Sequence, residues 1–325
     1  MQLRTLEIFC TVAEQRSFSK AAAAHRLTQS AVSQAMQHLE ESLGVQLIDR
    51  SKRPLVLTLA GKTYLRGVRG VLRSYDRLQQ EVRSISEQLS GLVTIGAVYS
   101  VGLSYLPEAT EEFERLHPGV DVKVEFGSSQ RVVEMTIGGE VDFGLVSFPK
   151  NTKDLQSVLW QKEPMRLVCS ADHPLAKQHQ VSLAELNGME MVGFDRQLPL
   201  RHEIDQALAK AGVKVNVRME FDNADSMIRA IQASRGIGIV PEAAVRRETA
   251  TGSLRVVACR ELRMTRPLGI IFRRPGHLSR AANEFGSLLL GRPLDSEIRK
   301  SKSGGGKPSV ETVTTRAGTG TSIVA

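Results

Sequence analysis

The sequence predicts an α/β protein in three parts: a small basic helical head, one long helix, and a two-lobed body of alternating strands and helices. Three observations predict it. Apolar spacing is helical through the first 43 residues, remains helical without a proline from Leu59 to Leu89, and then gives way to short apolar runs separated by helical segments. Charge is unevenly placed: residues 1–90 carry 13 Lys and Arg against 8 Asp and Glu, residues 91–295 carry 25 of each, and residues 296–325 carry 5 against 2. A length of 325 residues holds two or three domains, and 41% apolar with 24% charged residues is the composition of a globular chain.

In the head, Leu3, Leu6, Phe9, Cys10 and Ala13 recur at helical spacing. Ser19 precedes Lys20 and four alanines, an N-cap followed by strong helix formers, and this second helix ends near Leu27. Thr28 and Gln29 form a turn. A third helix, Ser30 to Leu43, has Ala31, Val32, Ala35, Leu39 and Leu43 on its apolar stripe and Gly44 as its stop. Its other face shows Ser30, Ser33, Gln34 and Gln37, so the second and third helices make a helix-turn-helix pattern. Val45–Ile48 and Pro54–Leu57 then flank Asp49, Arg50, Ser51, Lys52 and Arg53, a two-stranded wing with a basic tip. A basic head on a neutral body suits a polyanion, although a solvated basic face has the same composition.

From Leu59 to Leu89, apolar residues recur at Val68, Tyr75, Val82 and Leu89, with Leu65, Leu72, Leu78 and Ile85 beside them. A repeat of 3.5 residues favours pairing with another long helix, centred on Val68, Leu72, Tyr75 and Val82; packing on the chain's own body is the alternative. Ser90–Gly91 ends it. In the body, strands are expected at Leu92–Val98, Val120–Phe126, Asp142–Val146, Arg166–Cys169, Met191–Gly193, Val215–Phe221, Ile237–Val240, Leu254–Ala258 and Leu268–Phe272, with helices between most of them. Ser147–Pro164 and Arg260–Pro267 read as polar crossings between two lobes, the second spanning about 165–265. The Gly/Ser/Thr-rich end is expected to be a disordered basic tail over 296–325.

Three scattered cysteines, Cys10, Cys169 and Cys259, argue against a disulfide scaffold or a zinc ribbon. Neither a leader segment nor a run of about 18 apolar residues is readable, so a cytoplasmic location is expected. Motifs for metalloprotease, serine-hydrolase or phosphate-loop chemistry are absent, and no cofactor or metal is expected. Gly236-Ile237-Gly238 precedes a strand where a dinucleotide loop follows one, and Asp172-His173 has no nucleophile in sequence reach.

The runs Phe9–Ala22, Leu27–Gln34, Leu39-Glu40, Leu43-Gly44, Leu47–Arg50 and Leu57–Gly61 resemble the winged helix-turn-helix of LysR-type transcriptional regulators. The likeness continues more loosely through Leu106-Pro107, Gly139–Asp142, Asp172–Leu175 and Gly236–Pro241. It implies a non-enzymatic regulator of promoter DNA, dimers paired through the long helix and assembled to a homotetramer, and two periplasmic-binding-protein-like lobes with an effector cleft. The expected parts are a DNA-binding domain over 1–58, a linker helix over 59–90 and an effector domain over 91–295. A transporter's solute-binding component suits the body alone, and an enzyme with a regulatory module is a third class; the winged head disfavours the first, and the missing acid/base constellation the second.

DNA contacts are expected from Gln29, Ser30, Gln34 and Gln37 at base edges, from Ser33 at phosphate, and from Arg50 and Arg53 on the wing. The effector is expected to be a small polar or anionic molecule. Ser100, Ser128, Ser129 and Ser147, beyond the carboxyl ends of strands, are its candidate ligands together with helix amides, and Arg201 is a candidate cation from across the cleft. The plain alternatives are N-caps at Ser128 and Ser129 and a solvated side chain at Arg201.

Overall fold

The computed structural model describes residues 2–83, 89–274 and 278–303. The head contains α1 (Leu3–Gln15), α2 (Phe18–His25) and α3 (Gln29–Leu43), packed through Phe9, Val12, Val32, Met36 and Leu39. Its caps differ from expectation. Ser17, not Ser19, opens α2 by accepting from the Lys20 amide at 3.3 Å, and Thr28 opens α3 one residue early by accepting from Ala31 N at 3.2 Å. Ser19 instead lies inside α2 and donates to Gln29 Oε1 at 3.1 Å. The wing is shorter than expected: β1 (Ile48–Asp49) pairs antiparallel with β2 (Val56–Leu57), leaving Val45 and Gln46 outside the ladder.

The long helix, α4 (Leu59–Arg83), follows directly. A Cβ on Gly61 would lie 2.0 Å from the Leu47 carbonyl oxygen, so only glycine lets α4 lie against the wing. The expected helix to Leu89 is corrected: Leu89 is buried in the first lobe's core, and Ser84–Gln88, with Ile85, lie outside the described residues. The seam also changes. Val68 is buried within the protomer and Leu72 half-buried, whereas Val71, Tyr75, Leu78 and Val82 are exposed at steps of 4, 3 and 4. Arg73 donates to the carbonyl of Gly139, and Gly70 lies against Gly138 and Arg273, so the inner face of α4 rests on lobe 1.

Lobe 1 is built from β3 (Ser90–Val98), α5 (Tyr99–Leu116), β4 (Gly119–Gly127), α6 (Ser129–Ile137) and β5 (Phe143–Ser147). Helical connections make β3 parallel to both β4 and β5. Then β6 (Leu155–Ser170) leaves for lobe 2, formed by β7 (Glu190–Phe194), α7 (Pro199–Lys210), β8 (Asn216–Phe221), α8 (Ala224–Ser234), β9 (Ile237–Pro241), α9 (Arg246–Thr251) and β10 (Leu254–Val257). The chain returns on β11 (Thr265–Arg273) and closes on lobe 1 with α10 (Arg280–Leu290) and α11 (Leu294–Ser303). The strand path is β4-β3-β5-β11-β6-β9-β7-β8, with β10 also on β6. Two separate cores result, one around Phe113, Phe143 and Phe285, the other around Met165, Met227 and Ile239.

Two expectations fail here for physical reasons. Ser147–Pro164 is not a polar interruption, because from Leu155 it is the first half of β6, paired with β11 on both sides of a bulge at Trp160. Its polar residues face helices: Gln156 Nε2 donates to Ile298 O and Trp160 Nε1 to Leu289 O, each at 2.6 Å. The disorder expected from Ser296 is likewise corrected up to Ser303. Leu294 is fully buried under Gly286 and Ile298 packs on the lobe 1 core, which holds a helix of otherwise charged residues. Residues 304–325 lie outside the described set.

Candidate DNA interface and effector cleft

On α3, Val32, Met36 and Leu39 turn inward, so helical geometry puts Ser30, Gln34 and Gln37 on one exposed stripe, with Ser33 half-buried beside it. Gln29 begins the same helix. Gln34 makes no hydrogen bond among the described residues, while the Gln37 amide donates to Glu41 Oε1 at 2.9 Å, leaving its carbonyl side open. Gln34 is therefore the unengaged side chain of the stripe, since Gln29 Oε1 accepts from Ser19 and Ser30 Oγ lies 3.0 Å from Thr28 Oγ1.

The wing arginines divide. Arg53 is exposed at the tip without an ion pair among the described residues. Arg50 is not free as expected, since its Nη2 donates to Glu40 Oε2 at 2.7 Å and its guanidinium lies 5.6 Å from the Phe18 ring centroid. Glu40 also accepts from the amides of Leu47 and Ile48 at 2.8 and 3.0 Å. One buried carboxylate thus fixes the start of the wing against α3, a charge-assisted set worth more than neutral hydrogen bonds. Glu40 has a positioning role that sequence reasoning missed; the signal was an acid on the same helical stripe as Met36.

In lobe 1, Val98 pairs with Gly127 and Ala97 with Leu145. This register brings the carboxyl ends of β4, β3 and β5 side by side, and with them Ser128, Ser100 and Ser147. Ser128 caps α6, accepting from Arg131 N at 3.3 Å, while Ser129 is exposed in the first turn. Ser147 is half-buried and followed by Phe148 with φ 53°, a left-handed turn that sends the Phe148 ring toward the lobe 2 core.

Arg201 is not brought to this cluster. It is buried at 6% exposure, with Nε on both oxygens of Asp205 at 2.9 Å and Nη1 on Phe194 O and Glu220 Oε1 at 2.6 and 3.1 Å. Its charge is neutralised inside lobe 2, and the expectation of a cation reaching across the cleft is corrected accordingly.

The cation bonded to Ser100 is Arg266. It lies on β11 opposite Glu163 on β6, and both are almost fully buried. Arg266 donates through Nε to Glu163 Oε2 at 2.9 Å and through Nη2 to the same oxygen. Its Nη1 donates to Ser100 Oγ at 2.9 Å, and Tyr105 Oη donates to Glu163 Oε1 at 3.0 Å. Burial and the adjacent carboxylate push the Tyr105 phenol well above its ordinary pKa, so it remains a donor. The strands joining the lobes are thus pinned by one ion pair whose third arm ends on a predicted effector ligand. A signal existed in the sequence: each crossing strand places a charged residue before a proline, Glu163-Pro164 and Arg266-Pro267.

Among the described residues no cluster of His, Cys, Asp and Glu is arranged to hold a metal, and no helix is long and apolar enough to cross a membrane.

Known proteins resemble this chain in sequence and in fold. An uncharacterized HTH-type transcriptional regulator, YfeR, of Shigella flexneri is 33% identical over 243 residues, 75% of this chain and 79% of that protein. The hydrogen peroxide-inducible genes activator of Dickeya chrysanthemi is 25% identical over 276 residues, 85% of this chain and 90% of its own. Full-length CbnR, solved complexed with its target DNA, superposes with a TM-score of 0.69 at 20% identity, covering 93% of this chain and all of that one. Residues 3–62 match the bacterial regulatory helix-turn-helix protein, lysR family, and residues 86–293 match the LysR substrate binding domain. With both halves matched, the chain belongs to the LysR family of transcriptional regulators.

Proposed function

We propose that this regulator acts in the cytoplasm without turnover, gripping a promoter with two α3 helices joined by paired α4 helices, and that a small polar or anionic effector in the cleft sets the spacing of those heads. Assembly of such dimers to a homotetramer is part of the same reading. The observation that carries it is the Ser100–Arg266–Glu163 chain: a ligand taking Ser100 Oγ replaces a hydrogen bond of the strand pair on which the lobes turn. A ligand that prefers one lobe angle then shifts the geometry of the heads, and DNA affinity responds reciprocally. A thermal-shift screen of metabolites on the full chain, repeated with Ser100→Ala and Ser129→Ala, tests it. A ligand that stabilises the wild type by several degrees should also change operator affinity and lose both effects in the variants. Binding that survives both substitutions removes these serines from the site.

For the head, Gln34→Ala should weaken binding to the specific operator by about 1–3 kcal/mol and to random duplex much less, since a glutamine amide pairs with base edges rather than phosphate. Equal losses on the two duplexes, read by fluorescence anisotropy, exclude Gln34 as a base reader.

The chain's thiols favour a bound effector over a peroxide signal. Burial pushes Cys10 and Cys169 up to about 11 and raises Cys259 as well. A rise from 9 to about 11 lowers the thiolate fraction at neutral pH by roughly 100-fold, and thiolate is the reactive form. Iodoacetamide labelling of Cys10 and Cys169 in the native protein at pH 7.4 should therefore be far slower than that of a free thiol and should climb steeply only in strong alkali. Rapid labelling, or a disulfide formed by micromolar peroxide, contradicts this.

A further inference from the structure

Beyond Ser100 the space between the lobes continues as a groove of about 570 Å³, walled by α5 on the lobe 1 side and by α8 and the start of α9 on the lobe 2 side. Its size is that of a small-ligand pocket. Ser100 and Ser104 line one wall, and Arg229, Arg246 and Arg247 line the other, with Asp225 and Glu248 also present. None of the three guanidiniums makes an ion pair or a side-chain hydrogen bond among the described residues, although arginines near them do, Arg166 with Glu242 at 2.8 Å for instance. Three unpaired arginines against two carboxylates leave the groove net positive in a body whose overall charge is balanced.

An unpaired arginine cluster facing hydroxyls has a specific chemical match. Guanidinium forks donate two parallel hydrogen bonds to a phosphate, while a serine hydroxyl donates a further one or accepts from a sugar hydroxyl. The geometry points to this groove as the binding site for the phosphate end of a small phosphorylated metabolite, held by Arg229, Arg246 and Arg247 from lobe 2, with its polar remainder reaching Ser104 and Ser100 on lobe 1. This inference rests on the effector reading above and deepens it, because a ligand so placed spans both lobes and meets the hinge at Ser100. The carboxylates set the charge preference. Beside Asp225 and Glu248, a phosphate dianion keeps a net attraction to three arginines that a neutral sugar lacks.

The test uses the full chain with inorganic phosphate and ribose 5-phosphate as probes and acetate and ribose as controls, each followed by thermal shift and by titration calorimetry. Wild type, Arg246→Gln/Arg247→Gln, Arg229→Gln and Ser129→Ala are compared, because phosphate also meets the basic head and only the difference between chains reports the groove. Ribose 5-phosphate should raise the wild-type melting temperature by several degrees and inorganic phosphate by less, with acetate and ribose inert. Binding should weaken roughly tenfold or more in the double arginine variant. A shift retained undiminished in both arginine variants, or none in the wild type, overturns the proposal. So does a fall in operator affinity of the double variant in phosphate-free buffer, which assigns the arginines to DNA phosphates instead. The two readings fail separately. If a metabolite's effect on operator binding disappears in Ser129→Ala and Ser100→Ala but not in the arginine variants, the cleft stands and the phosphate groove does not.

Discussion

Leu78→Asp combined with Val82→Asp should abolish α4 pairing, halve the size of the oligomer and lower operator affinity by at least about 100-fold, while leaving the melting temperature of the two lobes close to that of the wild type. The exposed stripe Val71, Tyr75, Leu78 and Val82 is between 42% and 61% accessible in one chain, too much apolar surface in one line for a solvated helix. Its steps of 4, 3 and 4 residues suit a second α4 laid alongside. Aspartates there would meet their own copies in the paired seam, and each uncompensated buried charge costs about 3–5 kcal/mol. Because the residues are exposed within the protomer, folding should survive where pairing does not. Loss of pairing also removes the gain in effective concentration that joins two weak half-site contacts into one strong one. Sedimentation velocity and operator titration should fail together. An unchanged oligomer overturns the seam.

The second large effect is expected at the hinge. Glu163→Ala leaves the Arg266 guanidinium, 3% exposed, without its carboxylate and should destabilise the lobes by about 3–5 kcal/mol. For a body of this size that is a fall in melting temperature of roughly 6–20 °C. The asymmetry of the pair is the stronger check. Replacing both partners, Glu163→Leu with Arg266→Met, removes the stranded charge and should recover most of the loss, although Tyr105 Oη and Ser100 Oγ then lose their partners. Calorimetric melting of the three chains distinguishes a buried pair from a surface one, for which each single change would cost under about 1 kcal/mol. A single variant as stable as the wild type contradicts the buried network.

Much of the architecture was legible because periodicity reports local structure directly. Ser128, for which an N-cap was the plain alternative, does open α6 by hydrogen bond. The exposed stripe of α3 follows from helix geometry once the buried face is known. Errors fell where long-range packing overrides composition. The polar first half of β6 becomes a strand because β11 supplies a ladder and α10 and α11 supply acceptors, none of which is local in sequence. Residues 296–303 form part of a helix for the same reason, through Ile298 on the lobe 1 core.

The sequence by itself determined the order of the parts, the helix-turn-helix with Gln34 on its outer face, the heptad character of the long helix, and the serines at strand ends. Each depends on spacings of a few residues. Only the tertiary structure decided which charges are available. Arg50 is drawn to Glu40, Arg201 to Asp205 and Glu220, and Arg266 to Glu163, while Arg229, Arg246 and Arg247 are left open on a groove. Apart from Asp205, four residues from Arg201, these partners lie ten, nineteen or over a hundred residues away, and the fold alone brings each pair together.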